Sequence, residues 1–206
     1  MKPLFLQTSS NNPHYQGMVS DHKERHLAYC EKWGYDYLED TTHIKTGWDI
    51  MEIIRKHMIL GRCSHIFWID ADTFVADFSR DMRETLPSWA FMAATIHPYP
   101  WGANQPVYHI NTGIMYFKCN SMAIAFLHTL LSNRDKFSDN QVGINWLLIG
   151  GTESNIWQSG FKMLNCEWNN NYHDQPQRPI VSAHHGHLDP ENRRKLMQEV
   201  ALRYPF

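Results

Sequence analysis

Residues 65–77 have the sequence HIFWIDADTFVAD, in which an apolar run ends in two acids, Asp70 and Asp72. The run does not alternate between polar and apolar residues, which favours a strand buried on both faces of a mostly parallel sheet. The acids follow the carboxyl end of that strand, where ligands bind in open α/β sheets. Two carboxylates one residue apart can hold a hard cation such as Mg²⁺ or Mn²⁺, which in turn binds phosphate oxygens. A solvated turn is the alternative for an isolated D-x-D pattern.

The chain before this strand alternates between strand and helix patterns. Short apolar runs at 4–6 and 35–38 predict strands, whereas 21–33 and 49–60 have the apolar spacing of helices. Gly34 is a helix stop signal, and Asp49 begins a D-x-x-E capping pattern. The first half therefore predicts a β-α-β-α-β unit. The expected fold class is α/β, a Rossmann-like and mostly parallel sheet with flanking helices.

The second half continues with mixed patterns. Apolar runs at 90–94 and 109–118 predict strands, and 122–131 and 139–149 predict helices. The prolines and glycine of 97–106 predict a loop. Asp189 followed by Pro190 is typical of a helix start, with the aspartate as N-cap and proline in the first helical position.

Composition limits the classes of partner. The 206 residues suit one domain, and 19 Lys+Arg against 21 Asp+Glu give a net charge of -2, which does not demand a polyanionic partner. The basic run 193–195 is expected to be a solvated helix face.

The four cysteines form no C-x-x-C pattern, which predicts free thiols in a reducing compartment. The start is too short and too polar for a signal peptide, and no apolar run approaches the ~20 residues of a spanning helix. We therefore expect a cytoplasmic protein without a membrane partner.

Four stretches together resemble the metal-dependent nucleotide-sugar glycosyltransferases of the GT-A fold. They are AYCEKWGYD at 28–36, FWIDAD at 67–72, NTGIM at 111–115 and SDNQ at 138–141. Their order is similar to that in the galactosyl/mannosyl/xylosyltransferase family of yeast mannan and plant xyloglucan synthesis, with glycogenin-like enzymes as more distant relatives. The resemblance implies transfer of a hexosyl or pentosyl group from a nucleoside-diphosphate sugar, with a UDP-sugar expected, to a hydroxyl acceptor with retained configuration. It also implies one domain, 1–206, in which about 1–95 bind the nucleotide sugar and about 96–206 bind the acceptor and complete the metal site.

The resemblance implies a site for Mn²⁺ or Mg²⁺. Asp72 would be a direct ligand, and Asp70 would bridge the metal and the ribose. The third ligand would come from a late histidine loop, with His184 as first choice and His187 as second. A histidine-rich surface turn is the alternative for that loop.

Residues for the transferred sugar follow from the same resemblance. Asn111 would hydrogen-bond the donor sugar, with Gly113 permitting close approach, and Gln141 would contact a sugar hydroxyl. Asp139 would lie on the opposite face of the sugar, where it could act as a nucleophile or only cap a helix. Asn111 could equally be a buried polar residue that bonds the backbone.

The nucleotide would occupy the loop after the first strand. Thr8, Ser9 and Ser10 would receive the base and ribose, and Arg55 or Lys56 would reach the diphosphate. Solvated helix positions are the alternative for these two basic residues.

Some positions depart from the family pattern. Trp48 is followed by Asp49 where the family has lysine, and Asn140 replaces the second acid of an acid-acid-glutamine triplet. Two other classes stay open: a phosphatase of the haloacid dehalogenase type, although Phe74 lies where that motif has Thr or Val, and a nucleotide-sugar-binding module without turnover. The acceptor is open among a glycan, a small molecule and a modified DNA base, and the low basic content disfavours DNA.

Overall fold

A computed structural model of the chain describes residues 1–9, 12–42, 44–99, 107–150, 154–171, 180–183 and 188–206. The strands are β1 (Leu4–Thr8), β2 (Asp36–Asp40), β3 (His65–Ile69), β4 (Thr73–Val75), β5 (Met92–Tyr99), β6 (Val107–Lys118), β7 (Phe161–Leu164), β8 (Asn170–Asn171) and β9 (Val181–Ala183). The α-helices are α1 (Pro13–Trp33), α2 (Gly47–Ile59), α3 (Ser121–Ser132), α4 (Asn140–Asn145), α5 (Ser154–Gln158) and α6 (Pro190–Ala201). A π-helical turn, Trp146–Gly150, extends α4.

The main sheet has six strands in the order β2-β1-β3-β6-β5-β7. Five of them point the same way, because β1 is parallel to β2 and β3, β5 is parallel to β7, and only β6 is antiparallel to its neighbours. The predicted β-α-β-α-β unit and mostly parallel sheet are confirmed. From β1 the chain moves to β2 on one side and then returns to β3 on the other. The strand order therefore reverses between β1 and β3, and this is where α/β sheets bind ligands.

Both faces of β3 are buried, as its continuous apolar run predicts. Ile66 and Trp68 point to one core, with Met51 and Ile54 of α2 and residues of α3. Phe67 on the opposite face packs in a second core with aromatic side chains of α1 and β6. Successive side chains of one strand thus tie two helical layers to the sheet and fix where Asp70 leaves it.

Three predicted boundaries were wrong. Helix α1 begins eight residues before Asp21, because Asn12 caps it and Pro13 occupies its first turn. Asp49 is not the N-cap of α2; Thr46 is, and the Asp49 carboxylate accepts the Thr46 backbone N–H at 2.9 Å. The segment 97–99, predicted as loop, continues β5 and pairs with β6. The rest of that predicted loop, 100–106, lies outside the described residues.

A small second sheet, in the order β4-β9-β8, follows the two acids. Phe74 of β4 lies in an apolar cluster with Met18 of α1 and with Met197 and Val200 of α6. Asp189 caps α6 by accepting the backbone N–H groups of residues 191 and 192, as predicted. This cluster holds the last helix of the chain beside the loop that carries Asp70 and Asp72.

Among the described helices, none combines the length and apolar character needed to cross a bilayer.

Candidate functional site

A cavity of about 420 Å³ opens where the strand order reverses. Its floor comes from the ends of β1 and β3, which contribute Thr8, Asp70 and Asp72. Its walls come from the starts of α1 and α2 and from α6; they are formed by Tyr15, Ile44, Lys45, Thr46, Gly47, Ile50, Ala71 and Arg193. A volume of this size fits a small-molecule ligand. The site thus combines the topological position expected for a ligand with two carboxylates.

Asp70 is held in place through both its backbone and its side chain. Its N–H donates to the Gly113 carbonyl at 2.8 Å, and its carbonyl accepts from the Thr73 hydroxyl at 2.6 Å and the Gln7 amide at 3.1 Å. The Trp68 indole N–H donates to Asp70 Oδ1 at 2.9 Å. Burial and the neighbouring Asp72 charge raise the pKa of Asp70 well above its usual value. A cation between the two carboxylates would oppose that shift, because it stabilises the charged form of both.

Asp72 is paired with a cation of the chain itself. Arg193 of α6 donates from Nη1 to Asp72 Oδ2 at 2.8 Å, and the two side chains are only 13% and 8% exposed. A second guanidinium nitrogen of Arg193 donates to the Leu188 carbonyl at 3.2 Å. The basic run 193–195 was expected to be solvated, and for Arg193 that expectation was wrong, because the cluster around Phe74 turns this face of α6 toward the cavity.

The start of α2 forms one wall. Lys45 and Gly47 line the cavity there, and the first turn is closed by Asp49, which also accepts the Lys45 backbone N–H at 2.8 Å. A Cβ atom on Gly47 would collide with Oδ1 of Asn140, the buried residue at the start of α4. Glycine at 47 therefore lets α4 approach the cavity wall, so the position at which Asn140 departs from the family pattern lies next to the site.

The segment Asn111–Gly113 lies where β6 leaves its pairing with β5. Ala94 pairs with Met115 and Ile96 with Ile110, so four residues of β6 stand against one of β5. Asn111 is buried, and its Oδ1 accepts the Gly113 N–H at 2.8 Å. A Cβ atom on Gly113 would lie 3.1 Å from both Asn111 Oδ1 and Asp70 Oδ2. The excursion thus brings Asn111 and Gly113 against the first acid.

Two amides of α4 hold the same excursion from the other side. Gln141 Oε1 accepts the N–H and the hydroxyl of Thr112, both at 3.3 Å. Asn145 accepts the Ile110 N–H at 2.7 Å and donates to the Ile110 carbonyl at 3.2 Å. These bonds replace the ladder bonds that β6 loses here. Asp139 is exposed and caps α4 by accepting the Val142 N–H at 2.8 Å, so its predicted capping role is confirmed.

The predicted basic residues of α2 lie away from the cavity. Arg55 is paired with Glu52 at 2.8 Å, and Lys56 is exposed. Both follow Gly47 by two helical turns or more, about 12 Å along the axis at 1.5 Å per residue. Thr8 lines the cavity and Ser9 is buried beside it, whereas Ser10, His184 and His187 lie outside the described residues.

The aromatic and basic residues of the cavity lining, Tyr15, Lys45 and Arg193, were not predicted as site residues from the sequence. Tyr15 lies in the first turns of α1, and the polar sequence there had favoured a loop. Lys45 precedes a helix start that was placed three residues too late. Arg193 is separated from Asp72 by 121 positions, and only the docking of α6 brings the two together.

The carboxylates suit a divalent ion. Asp70 and Asp72 both face the cavity, and carboxylate oxygen is the ligand type that Mg²⁺ and Mn²⁺ prefer. Within the described part of the chain, no group of three or more His, Cys, Asp or Glu side chains is placed to hold a metal.

No protein-family model matches the chain, and a comparison with curated protein sequences gives no match. Solved structures do match. A glycosyltransferase involved in the glycosylation of the major capsid of PBCV-1 superposes with a TM-score of 0.71 at 14% identity, over 97% of this chain and 100% of that one. The glycosyltransferase GlyE of Streptococcus pneumoniae TIGR4 gives 0.59 at 12% identity, over 98% of this chain and 60% of GlyE. The galactosyltransferase LgtC, in complex with donor and acceptor sugar analogs, gives 0.50 at 12% identity, over 100% and 97%.

The chain has the fold of these glycosyltransferases. The predicted GT-A-type architecture is therefore confirmed at the level of fold. Identities of 12–14% do not carry the finer assignment to the mannan, xyloglucan or glycogenin-like families.

Proposed function

We propose that the chain is a metal-dependent glycosyltransferase that moves a hexosyl or pentosyl group from a nucleoside-diphosphate sugar to a hydroxyl acceptor. The observation that carries the proposal is the pair Asp70 and Asp72 in one cavity at the reversal of strand order. The fold shared with three glycosyltransferases supports it. A UDP-sugar is the donor that we propose to test first.

The nucleotide would lie across the ends of β1 and β3. Tyr15 offers an aromatic face and Ile50 an apolar surface for the base, and Thr8 offers a hydroxyl to the ribose. Lys45 and Arg193 are the cations that line the described cavity, which makes them better placed for the diphosphate than Arg55 or Lys56.

Asp70 and Asp72 would hold the divalent ion, with His184 or His187 as a further ligand. When bound, the ion neutralises charge that grows on the leaving diphosphate. The protein itself positions Asp70 before a ligand binds, because Trp68 and Gly113 hydrogen-bond its side chain and its backbone. Such preorganisation lowers the cost of forming the charged site.

The transferred sugar would lie against the β6 excursion. Asn111 and Gln141 offer amides there, and Gly113 leaves space next to Asp70. Asp139 already accepts a backbone N–H as a helix cap, which favours acceptor attack from the leaving-group side over a covalent Asp139 intermediate. Attack from that side would retain the configuration of the transferred sugar. Proton NMR of fresh product from an α-linked donor tests it: an α-linked product is expected, and a β-linked product would contradict retention.

The function itself is tested with purified protein and a panel of nucleotide sugars plus Mn²⁺. Release of nucleoside diphosphate that depends on Mn²⁺ and increases with added glycan acceptors is the expected result. A generic phosphate ester is the control for a phosphatase. Cleavage of that ester without turnover of any nucleotide sugar would contradict the proposal, and nucleotide binding without turnover would leave a binding module.

A further inference from the structure

Two cysteines lie close together where β3 begins and β6 ends, at the opposite end of these strands from the cavity. Cys63 precedes β3 and is buried, and half-buried Cys119 follows β6 directly. Their sulfur atoms lie 3.4 Å apart although 56 positions separate them in the chain. The two segments are also joined by the backbone, because the Cys119 N–H donates to the Ser64 carbonyl at 2.9 Å.

We infer that Cys63 and Cys119 form a redox-active dithiol that a peroxide converts to a disulfide. A disulfide needs sulfur atoms about 2.05 Å apart, so the pair must close by roughly 1.4 Å. Side-chain rotation can supply this movement, because the antiparallel pairing of His65 with Lys118 already holds the two backbones side by side. The inference does not depend on the proposed sugar transfer.

The two thiols share a hydrogen bond in which either sulfur can donate. A thiolate on one sulfur accepts the S–H of the other, which stabilises the nucleophile that attacks a peroxide. The partner thiol is then placed to resolve the sulfenic acid that forms.

The reaction balances with hydrogen peroxide as oxidant. One cysteine sulfur attacks one peroxide oxygen, the O–O bond breaks, and a sulfenic acid and one water form. The other cysteine sulfur then attacks the sulfenic acid sulfur and displaces hydroxide, which leaves as water with the proton of the attacking thiol. Two thiols and one peroxide give one disulfide and two waters.

The bond would tie the start of β3 to the end of β6, two central strands of the sheet. Cys63 and Asp70 flank opposite ends of β3, about 23 Å apart for seven residues at about 3.3 Å per residue. A disulfide between Cys63 and Cys119 would close a loop of 56 positions. Such a cross-link restricts the unfolded chain and leaves the distant cavity unchanged. We therefore expect the oxidised protein to be more stable than the reduced one.

Limited hydrogen peroxide treatment of the full chain tests the inference. The intact mass should fall by two hydrogen atoms, and non-reducing peptide mapping should recover a peptide with Cys63 joined to Cys119. The Tm should rise by roughly 5 to 10 °C and return on reduction with dithiothreitol.

The chain offers matched controls. Cys63→Ser and Cys119→Ser should each lose the mass change, whereas Cys30→Ser and Cys166→Ser should keep it. The map of the wild-type protein decides the question even where a variant folds poorly. Oxidation at Cys30 or Cys166 with no Cys63–Cys119 peptide, or a joined pair with a lowered Tm, would overturn the inference.

Discussion

Arg193 Nη1 lies 2.8 Å from Asp72 Oδ2, so the guanidinium of Arg193 in α6 forms an ion pair with the second acid of the D-x-D stretch. This ion pair joins α6 to the loop that follows β3, and both side chains are largely buried. Loss of one partner of a buried pair leaves an uncompensated charge, which costs more free energy than the pair itself contributes. This relationship gives α6 a place in the site as well as in the apolar cluster around Phe74.

Arg193→Met should therefore lower the free energy of unfolding by about 2–3 kcal/mol, less than for a fully enclosed pair because Asp72 faces the cavity. Arg194→Met is the matched control. Arg194 pairs with Asp21 on the outer face, where Arg194 is 41% exposed, and such pairs contribute about 1 kcal/mol or less. Denaturation with urea measures both. Equal losses in the two variants would contradict a special role for the Arg193–Asp72 contact.

Gly113→Ala should weaken nucleotide-sugar binding about tenfold, or about 1.4 kcal/mol. The added methyl lies 3.1 Å from Asp70 Oδ2, so the carboxylate must move away from its present position. Gly150→Ala is the control, because a Cβ atom there meets nothing within 4 Å. Calorimetric titration of both variants measures the effect, and unchanged binding by Gly113→Ala would contradict the claim that binding needs Asp70 in its present position.

Stability should decline in mild acid because of His22. Its ring stacks on Phe74 with centroids 4.8 Å apart, and burial lowers the pKa of His22 from 6.5 to about 4. Between those pH values the unfolded chain binds the proton and the folded chain does not. The contribution of His22 to the free energy of unfolding is thus fully present above about pH 6.5. It is lost as the pH falls toward 4, by an amount on the order of 3 kcal/mol.

His22→Phe keeps a ring against Phe74 and removes the titrating group. The slope of unfolding free energy against pH should become shallower by nearly one proton in this window. His26 is buried as well, its pKa is also lowered, and it should account for part of the slope that remains. His128→Gln controls for removal of an exposed imidazole. A slope unchanged by His22→Phe would mean that His22 binds protons equally in the folded and the unfolded chain, which would contradict the prediction.

Local patterns predicted the sheet and the acids, because the information lies in neighbouring residues. The unbroken apolar run before Asp70 predicted a doubly buried strand, and Asp189 with Pro190 predicted the start of α6. Helix α1 carried a comparable signal in Asn12 and Pro13, but the polar residues around them resembled a loop. Pairings between distant segments left no local trace: Arg193 with Asp72, and Cys63 with Cys119, depend on how helices and strands pack.

The central claim is that Asp70 and Asp72 hold a divalent ion together with a nucleoside diphosphate. Calorimetric titration of UDP into the wild-type protein and into Asp72→Asn, with and without Mn²⁺, tests it most directly. Asp77→Asn is the control, since Asp77 belongs to the same stretch but lies outside the cavity lining and accepts the Ser79 N–H at 2.7 Å. The account predicts binding that needs Mn²⁺, survives in Asp77→Asn and weakens at least tenfold in folded Asp72→Asn. Equal affinity for UDP in all three proteins, with or without Mn²⁺, would contradict it.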